Sequence, residues 1–247
     1  MSTSWDDRYS TEEYVYGTSP NDFLSAHAED LLAAHEGAQH VVCLAEGEGR
    51  NAVYLAELGA QVCAMDSSKV GLEKAHKLAE QRGVKLQTEV VDLTTAQLPK
   101  AHYDGIVAIF CHLPSAGRAH LYEEIAASLK PGGFFLLEAY TAAQLERNTG
   151  GPNDADLMVS QAELVRAFKG YEVQVSQEIT REVNEGDRHN GLANVCQFIA
   201  RKPSARQQRY QFTANRGKAS HKLRYVEGSA DAGGDCTLCK GPLTNDD

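Results

Sequence analysis

Short apolar runs alternate with amphipathic helical stretches from His40 to Tyr140, and this alternation restricts the fold more than any other feature of the chain. His40–Ala45, Gln61–Met65, the stretch near Leu86–Val91, Tyr103–Phe110 and Phe134–Tyr140 read as strands. Helices fit from about Arg50 to Leu58, from Ser67 or Ser68 to about Arg82, and from about Gly117 to Leu129, with Gly59 and Gly83 as stops. An earlier helix opens at Ser19-Pro20-Asn21-Asp22, where Ser19 can cap and Pro20 suits the first helical position. A short helix from Ser160 to about Lys169 precedes two last strands, near Tyr171–Arg181 and Leu192–Ala200, around the turn Asn184-Glu185-Gly186-Asp187. The pattern predicts an α/β fold: a doubly wound, mostly parallel, seven-stranded Rossmann-like sheet, closed by an antiparallel C-terminal hairpin.

Composition narrows the class. The 247 residues are 42% apolar and 23% charged, ordinary for a globular chain, and no run of 18 apolar residues is present. The N-terminus has acids where a signal peptide needs positive charge, so a cytoplasmic protein is expected. The net charge of −10 is uneven: residues 1–200 carry −14 and residues 201–247 carry +4. An acidic body argues against nucleic-acid binding by the main domain. Periodicity fades after Lys202-Pro203, so residues 1–202 are read as the domain and 203–247 as a basic, flexible tail. Cys43, Cys63, Cys111 and Cys196 sit in apolar runs and read as small hydrophobes. Cys236 and Cys239 form an isolated Cys-x-x-Cys in the tail. No second pair at zinc-site spacing follows it, so metal site, redox pair and inert tail stay open, and no metal is assigned.

The most informative stretch is Ala45-Glu46-Gly47-Glu48-Gly49-Arg50-Asn51-Ala52, which follows the first strand and opens a helix. Its glycines permit a tight turn and close backbone approach to a ligand. Asp66 ends the second strand, 19 residues after Gly47, a placement suited to the two hydroxyls of an adenosine ribose. Asp92 ends the third. Gly47-x-Gly49-x-x-Ala52 formally meets the dinucleotide pattern, but a pyrophosphate would then lie over Glu46 and Glu48 with Arg50 alone opposing them. A unit charge pair about 4 Å apart is worth roughly 4 kcal/mol at an effective dielectric of about 20, an upper scale whose sign disfavours pyrophosphate and favours a sulfonium with its ammonium.

With these strand-end acids, the glycine loop and Leu129-Lys130-Pro131-Gly132-Gly133-Phe134, the sequence resembles class I S-adenosylmethionine-dependent methyltransferases. More narrowly, it is similar to the tellurite-resistance-type small-molecule branch. That likeness rests on Trp5-Asp6-x-Arg8-Tyr9, Tyr16-Gly17-Thr18-x-Pro20-Asn21-x-Phe23-Leu24, Ile109-Phe110-Cys111-His112-Leu113-Pro114, Gly150-Gly151-Pro152 and Glu185-Gly186-x-x-His189-x-Gly191. The resemblance covers about residues 1–202. It implies S-adenosylmethionine as cofactor, a small-molecule methyl acceptor such as a thiol or chalcogen oxyanion, and an N-terminal lid segment holding Trp5, Arg8 and Tyr9. The family's usual acid before the loop is replaced by Cys43-Leu44-Ala45, so Glu46 is expected to face the methionine moiety. Glu46, Gly47, Glu48, Gly49, Asn51, Asp66, Ser67, Asp92, Leu93 and Ile109 are the cofactor candidates.

Methyl transfer is an in-line displacement that needs alignment, desolvation and, for a protonated acceptor, a base. His112, after the fourth strand, is the candidate base or orienter. Tyr140 and Arg147 are candidate contacts to an anionic acceptor. His189, near the hairpin turn, reads as a surface imidazole. Two other classes stay open: an NAD(P)-dependent Rossmann oxidoreductase, and a non-enzymatic binding protein that uses the tail.

Overall fold

A computed structural model describes residues 4–33, 37–147, 149–186 and 189–204. The basic tail with Cys236 and Cys239 lies outside the described residues. Two helices come first, α1 (Ser4–Tyr9) and α2 (Asp22–Ala33). The sheet then begins with β1 (His40–Leu44), α3 (Arg50–Glu57), β2 (Gln61–Asp66), α4 (Lys69–Arg82), β3 (Gln87–Val90) and β4 (Tyr103–Ile109). It continues through α5 (Ser115–Ser128), β5 (Leu129–Tyr140), α6 (Gln161–Ala167), β6 (Glu172–Asn184) and β7 (Asn190–Arg201).

The strands form one seven-stranded sheet in the order β3-β2-β1-β4-β5-β7-β6. β1 to β5 are parallel, and β7 runs antiparallel to both β5 and β6. Strand order therefore reverses between β1 and β4, where the loops at the carboxyl ends diverge and leave a crevice. Both faces are covered. Val41 and Cys43 of β1 join a core with Leu24 of α2, Leu55 of α3 and Leu78 of α4. Val42 and Leu44 join the opposite core with Leu121 and Ile125 of α5 and Phe168 after α6. Side chains alternate across a strand, so an apolar run such as Val41–Leu44 can fill both cores at once.

Local chemistry sets most boundaries. Ser68 Oγ accepts from Gly71 N at 3.0 Å and caps α4, which Gly83 ends in the left-handed region. Three elements depart from the sequence pattern. The cap of α2 is Asn21 and not Ser19: Asn21 Oδ1 accepts from Leu24 N at 3.0 Å, while its Nδ2 donates to Glu138 and Glu185, each at 2.8 Å, two donations that a hydroxyl with its single proton could not make. β5 starts at Leu129, which pairs with Tyr103 of β4, and Gly132 N and Lys202 N donate to Lys202 O and Gly133 O at 2.8 Å, so the Lys-Pro-Gly-Gly turn is held in the sheet. α1 has no apolar period. It is held from outside, where Asp6 Oδ1 accepts from Ser68 Oγ at 2.6 Å and from Val70 N at 3.3 Å.

The crevice is lined by unusual backbone. Ala45 (φ 52°) and Phe110 (φ 51°) take left-handed conformations just after β1 and β4, on either side of the reversal. Gly49 (φ 95°) has a second constraint, since a Cβ there would lie 2.6 Å from Ala75 Cβ and 2.7 Å from its Cα, with helix backbone unable to give way. Gly49→Ala is therefore expected to destabilise by about 1–3 kcal/mol. Gly59→Ala, at φ 92° with nothing within 4 Å of the added methyl, meets backbone strain alone and should cost less. Urea midpoints of the two variants check the order.

Candidate active site

A cavity of about 460 Å³ opens at the carboxyl ends of β1, β2 and β4. Glu46, Glu48, Asp66, Ser67, Asp92, Leu93 and Ile109 line it, together with Arg50, Asn51, Phe110, His112 and His189. α1 contributes Trp5, Arg8 and Tyr9 to its wall, and the loop after it contributes Tyr16. The segments before α2 and after β5 thus meet the strand ends around one space.

Glu46 is buried, and its Oε1 accepts from Asn51 N at 2.8 Å and Ala52 N at 2.9 Å. It caps α3 with a carboxylate, as the dipole and the unsatisfied first-turn N–H groups favour. Burial pushes its pKa up to about 7 against the pull of those N–H groups and of Arg50. Asp66 Oδ2 accepts from Gly47 N at 2.9 Å and Oδ1 from Ser68 N at 2.8 Å. A carboxylate has about four acceptor positions, so Asp66 can pin the glycine loop and still accept from a ligand hydroxyl. Asp92 is exposed, and its Oδ1 accepts from Thr94 N at 2.9 Å and Thr94 Oγ1 at 2.7 Å, which holds its carboxyl below the usual range.

Glu48 requires a correction. The charge argument from sequence set Arg50 against both loop acids. In the structure Glu48 is paired with Lys74 of α4 and also accepts from Tyr16 N at 3.4 Å, while Arg50 pairs with Glu185 at 2.6 Å. Lys74, buried in mid-helix, also donates to Thr11 O at 3.1 Å and Glu13 O at 2.6 Å, and so ties the N-terminal segment to the loop. The glycines differ as well. The Cβ direction of Gly47 meets Tyr9 Oη at 2.6 Å and that of Gly49 meets Ala75, so both serve packing against α1 and α4. Neither is among the cavity-lining residues.

The other candidates separate. His112 lines the cavity and stacks on Tyr140 (centroids 5.5 Å apart, planes within 7°). The Leu157 backbone lies beside its ring but outside hydrogen-bonding geometry, and burial lowers its pKa to about 4. Tyr140 is wholly buried behind Gly151, whose added Cβ would meet its ring at 2.8 Å. Arg147 is away from the cavity lining, its Nε donating to Asn194 Oδ1 at 2.6 Å. His189 is no surface imidazole: it is buried, lines the cavity and packs on Tyr16 and Phe110 at 4.6 Å each. The hairpin tip approaches the N-terminal segment closely at Gly186, where a Cβ would lie 2.3 Å from Val15 O. Among the described residues no group of His, Cys, Asp and Glu is placed to hold a metal ion, and no helix is long and apolar enough to cross a membrane.

The raised Glu46 pKa fixes a pH dependence. The folded protein holds this proton more tightly than the unfolded chain. The resulting stability is fully present below about pH 4.5 and is lost as pH rises through about 7. Glu46→Gln keeps an oxygen for Asn51 N and Ala52 N but has no proton to lose. Its Tm relative to wild type should therefore rise between pH 5 and pH 8, as thermal melts across that range would show.

Comparison with known proteins agrees with this architecture. Residues 41–133, from β1 into β5, match the family described as methyltransferase domain. No curated protein matches the sequence. Solved structures share the fold. A protein from work on converting a disulfide bond into a thioacetal group during echinomycin biosynthesis superposes with TM-score 0.64 at 17% identity, over 81% of this chain and 92% of that one. TehB from Haemophilus influenzae gives 0.60 at 20% identity over 80% and 65%. Magnesium protoporphyrin IX methyltransferase from Synechocystis, solved with bound S-adenosylhomocysteine, gives 0.56 at 14% identity over 72% and 81%. The chain thus has the Rossmann-like fold of the methyltransferases, and its core from β1 into β5 is similar to the methyltransferase domain.

Proposed function

We propose that the protein is an S-adenosylmethionine-dependent methyltransferase acting on a small molecule, within a domain of residues 1–202. The observation that carries this reading is the position of Glu46. Its carboxylate already holds Asn51 N and Ala52 N, donors that a pyrophosphate would need at the start of α3. A dinucleotide would have to displace a buried carboxylate by another anion. A ligand that brings a sulfonium and an ammonium meets the same carboxylate favourably. Asp66 and Asp92 suit the ribose and adenine ends, with Leu93 and Ile109 as apolar walls. The neighbour solved with S-adenosylhomocysteine supports the same cofactor.

When bound, the cofactor supplies a methyl carbon whose bond to a positive sulfur breaks as the acceptor's lone pair bonds to it, the electron pair staying with sulfur. The chain's part is to align and dry that encounter. His112 and His189, with pKa values lowered to about 4 and about 3, are neutral and weak bases at neutral pH. An acceptor that carries a free lone pair without proton removal fits them, as a thiolate or chalcogen oxyanion does. Trp5, Arg8 and Tyr9 act as the lid, held through Lys74 and Asp6.

A thermal-shift panel tests the cofactor. S-adenosylmethionine and S-adenosylhomocysteine at about 100 times their dissociation constants should each add about 2.7 kcal/mol of stability. Asp66→Asn, which keeps an oxygen for backbone donors, should lose most of the gain. Stabilisation by NAD or NADP alone would make the protein an oxidoreductase.

A further inference from the structure

Beyond the strand-end acids, the cavity is walled by rings. Tyr16, Phe110, His112 and His189 line it, with Leu113 and Leu157 beside them. The rings hold one another in place. His189 lies 4.6 Å from both Tyr16 and Phe110. Tyr140, behind the wall, lies 4.6 Å from Phe110 and 5.5 Å from His112. Phe110 takes its place through a left-handed backbone (φ 51°), locked by donation of its N–H to Glu138 O at 2.7 Å. A non-glycine residue keeps such a conformation only where its surroundings over-determine it, and such residues cluster at binding sites.

The polar atoms of this wall are buried or already engaged. Both ring nitrogens of His112, Nδ1 of His189 and Nη1 of Arg50 have essentially no accessible surface. Arg50 donates to Glu185 at 2.6 Å, and Arg8 donates to Tyr16 Oη at 3.0 Å while lying 4.4 Å over the Trp5 ring. Both cations still bear on His189, so their field favours negative charge beside it. Neither histidine can ionise an acceptor, since burial holds them at about 4 and about 3. The acceptor must therefore arrive ionised and pack mainly on carbon.

An aromatic thiol meets both demands. Its ring delocalises the charge of the thiolate, so it ionises more readily than an alkyl thiol, and the same ring packs against aromatic side chains. Its soft sulfur makes favourable contacts with rings as well. Size restricts it further. A cavity of about 460 Å³ that must also hold an adenosyl cofactor leaves space for a single ring.

We propose that the ring wall centred on Phe110 is the acceptor subsite, that it takes a single-ring aromatic thiol as its thiolate, and that Phe110 sets this preference. The proposal rests on the methyltransferase reading. The thiol gives its proton to solvent before entry. A lone pair on its sulfur then bonds to the methyl carbon as that carbon's bond to the sulfonium breaks, the electron pair staying with the departing sulfur. The products are a methyl aryl sulfide and S-adenosylhomocysteine.

A matched acceptor set on the full chain tests this. Thiophenol and trifluoroethanethiol are both acidic thiols, one with a ring and one without, and selenite is an oxyanion with no apolar body. With radiolabelled S-adenosylmethionine, wild type should use thiophenol with kcat/KM, referred to the thiolate, at least about tenfold above trifluoroethanethiol, the scale of two ring contacts. Methyl phenyl sulfide should bind the S-adenosylhomocysteine-loaded protein and change the fluorescence of Trp5, the single tryptophan of the chain and part of the cavity wall. Phe110→Leu keeps apolar volume and removes the ring. It should lower the thiophenol-to-trifluoroethanethiol ratio about fivefold with S-adenosylhomocysteine affinity within about threefold, a change of selectivity that general loosening of the fold would not give.

The wild-type comparison needs no variant to fold. Equal kcat/KM for the two thiols, a preference for selenite, no binding of methyl phenyl sulfide to the loaded protein, or an unchanged ratio in Phe110→Leu overturns the ring-wall subsite. Failure of S-adenosylhomocysteine itself to bind overturns the methyltransferase reading instead.

Discussion

Glu138 is the point on which the two halves of the molecule depend. It sits in β5 with no exposed surface, and all four acceptor positions of its carboxylate are filled. Oε1 takes Asn21 Nδ2 at 2.8 Å and Arg181 Nη2 at 2.5 Å, and Oε2 takes Gln197 Nε2 at 2.6 Å and Arg181 Nε at 3.0 Å. Those partners come from the start of α2, from β6 and from β7. Arg181 passes the connection to Glu185 at the hairpin tip, and Glu185 passes it to Arg50 at the start of α3. A buried ion pair gives little net stability over an apolar pair, but removing one member costs about 3–5 kcal/mol. The network therefore acts less as glue than as a register device. The antiparallel hairpin must reach its full length, to Asn184 and Glu185, before Arg50 and Arg181 are both neutralised.

This dependence explains which features were legible in the sequence. β1, β2, β4 and β5 announce themselves by apolar runs, whereas the edge strand β3, Gln87–Val90, is largely polar and exposed. The acids Asp66 and Asp92 were visible because each follows an expected strand, but only Asp66 ends one: β3 stops at Val90, paired with Asp66, and Asp92 lies two residues beyond it. What each acid does was less visible, since the answer lies in partners remote in the chain. Glu48 looks like free negative charge until Lys74, on the neighbouring helix, neutralises it. Gly47 and Gly49 look like ligand-facing glycines, but the small side is needed by Tyr9 and Ala75. His189 looks like a turn residue because two-residue periodicity says nothing of where a hairpin tip lands. The close approach of Gly186 to Val15 puts that tip against the N-terminal segment, inside the wall of the cavity.

The fold alone does not decide the chemistry. Among its structural neighbours is the [4+2]-cyclase SpnF, at TM-score 0.57 and 17% identity, beside magnesium protoporphyrin IX methyltransferase. Similar sheets carry different reactions, so the argument for function must rest on the groups at the strand ends. Here those groups are the acids Glu46, Glu48 and Asp66, with Asp92 just beyond β3, and Arg50, Arg8 and His189 on the same wall. Acids and cations interleave: Arg50 opens α3 four residues after Glu46 and opposes the burial that raises the Glu46 pKa.

The left-handed residues give this arrangement a mechanical basis. Ala45 turns the chain after β1 so that Glu46 folds back over the first turn of α3, and Phe110 turns it after β4 so that its ring lies against His189 and Tyr140. Each non-glycine residue in that conformation costs on the order of 1 kcal/mol. Such a cost persists only where surrounding contacts over-determine it. Glu46 N bonds to Met65 O at 3.1 Å and Phe110 N to Glu138 O at 2.7 Å, so both turns are locked to the neighbouring strands. The second lock returns to Glu138, whose side chain also fixes the hairpin. One residue of β5 thus holds the backbone turn at the end of β4 and, through Arg181 and Glu185, the guanidinium at the start of α3. Cavity geometry assembled this way tolerates change in either loop only as far as Glu138 stays fully paired.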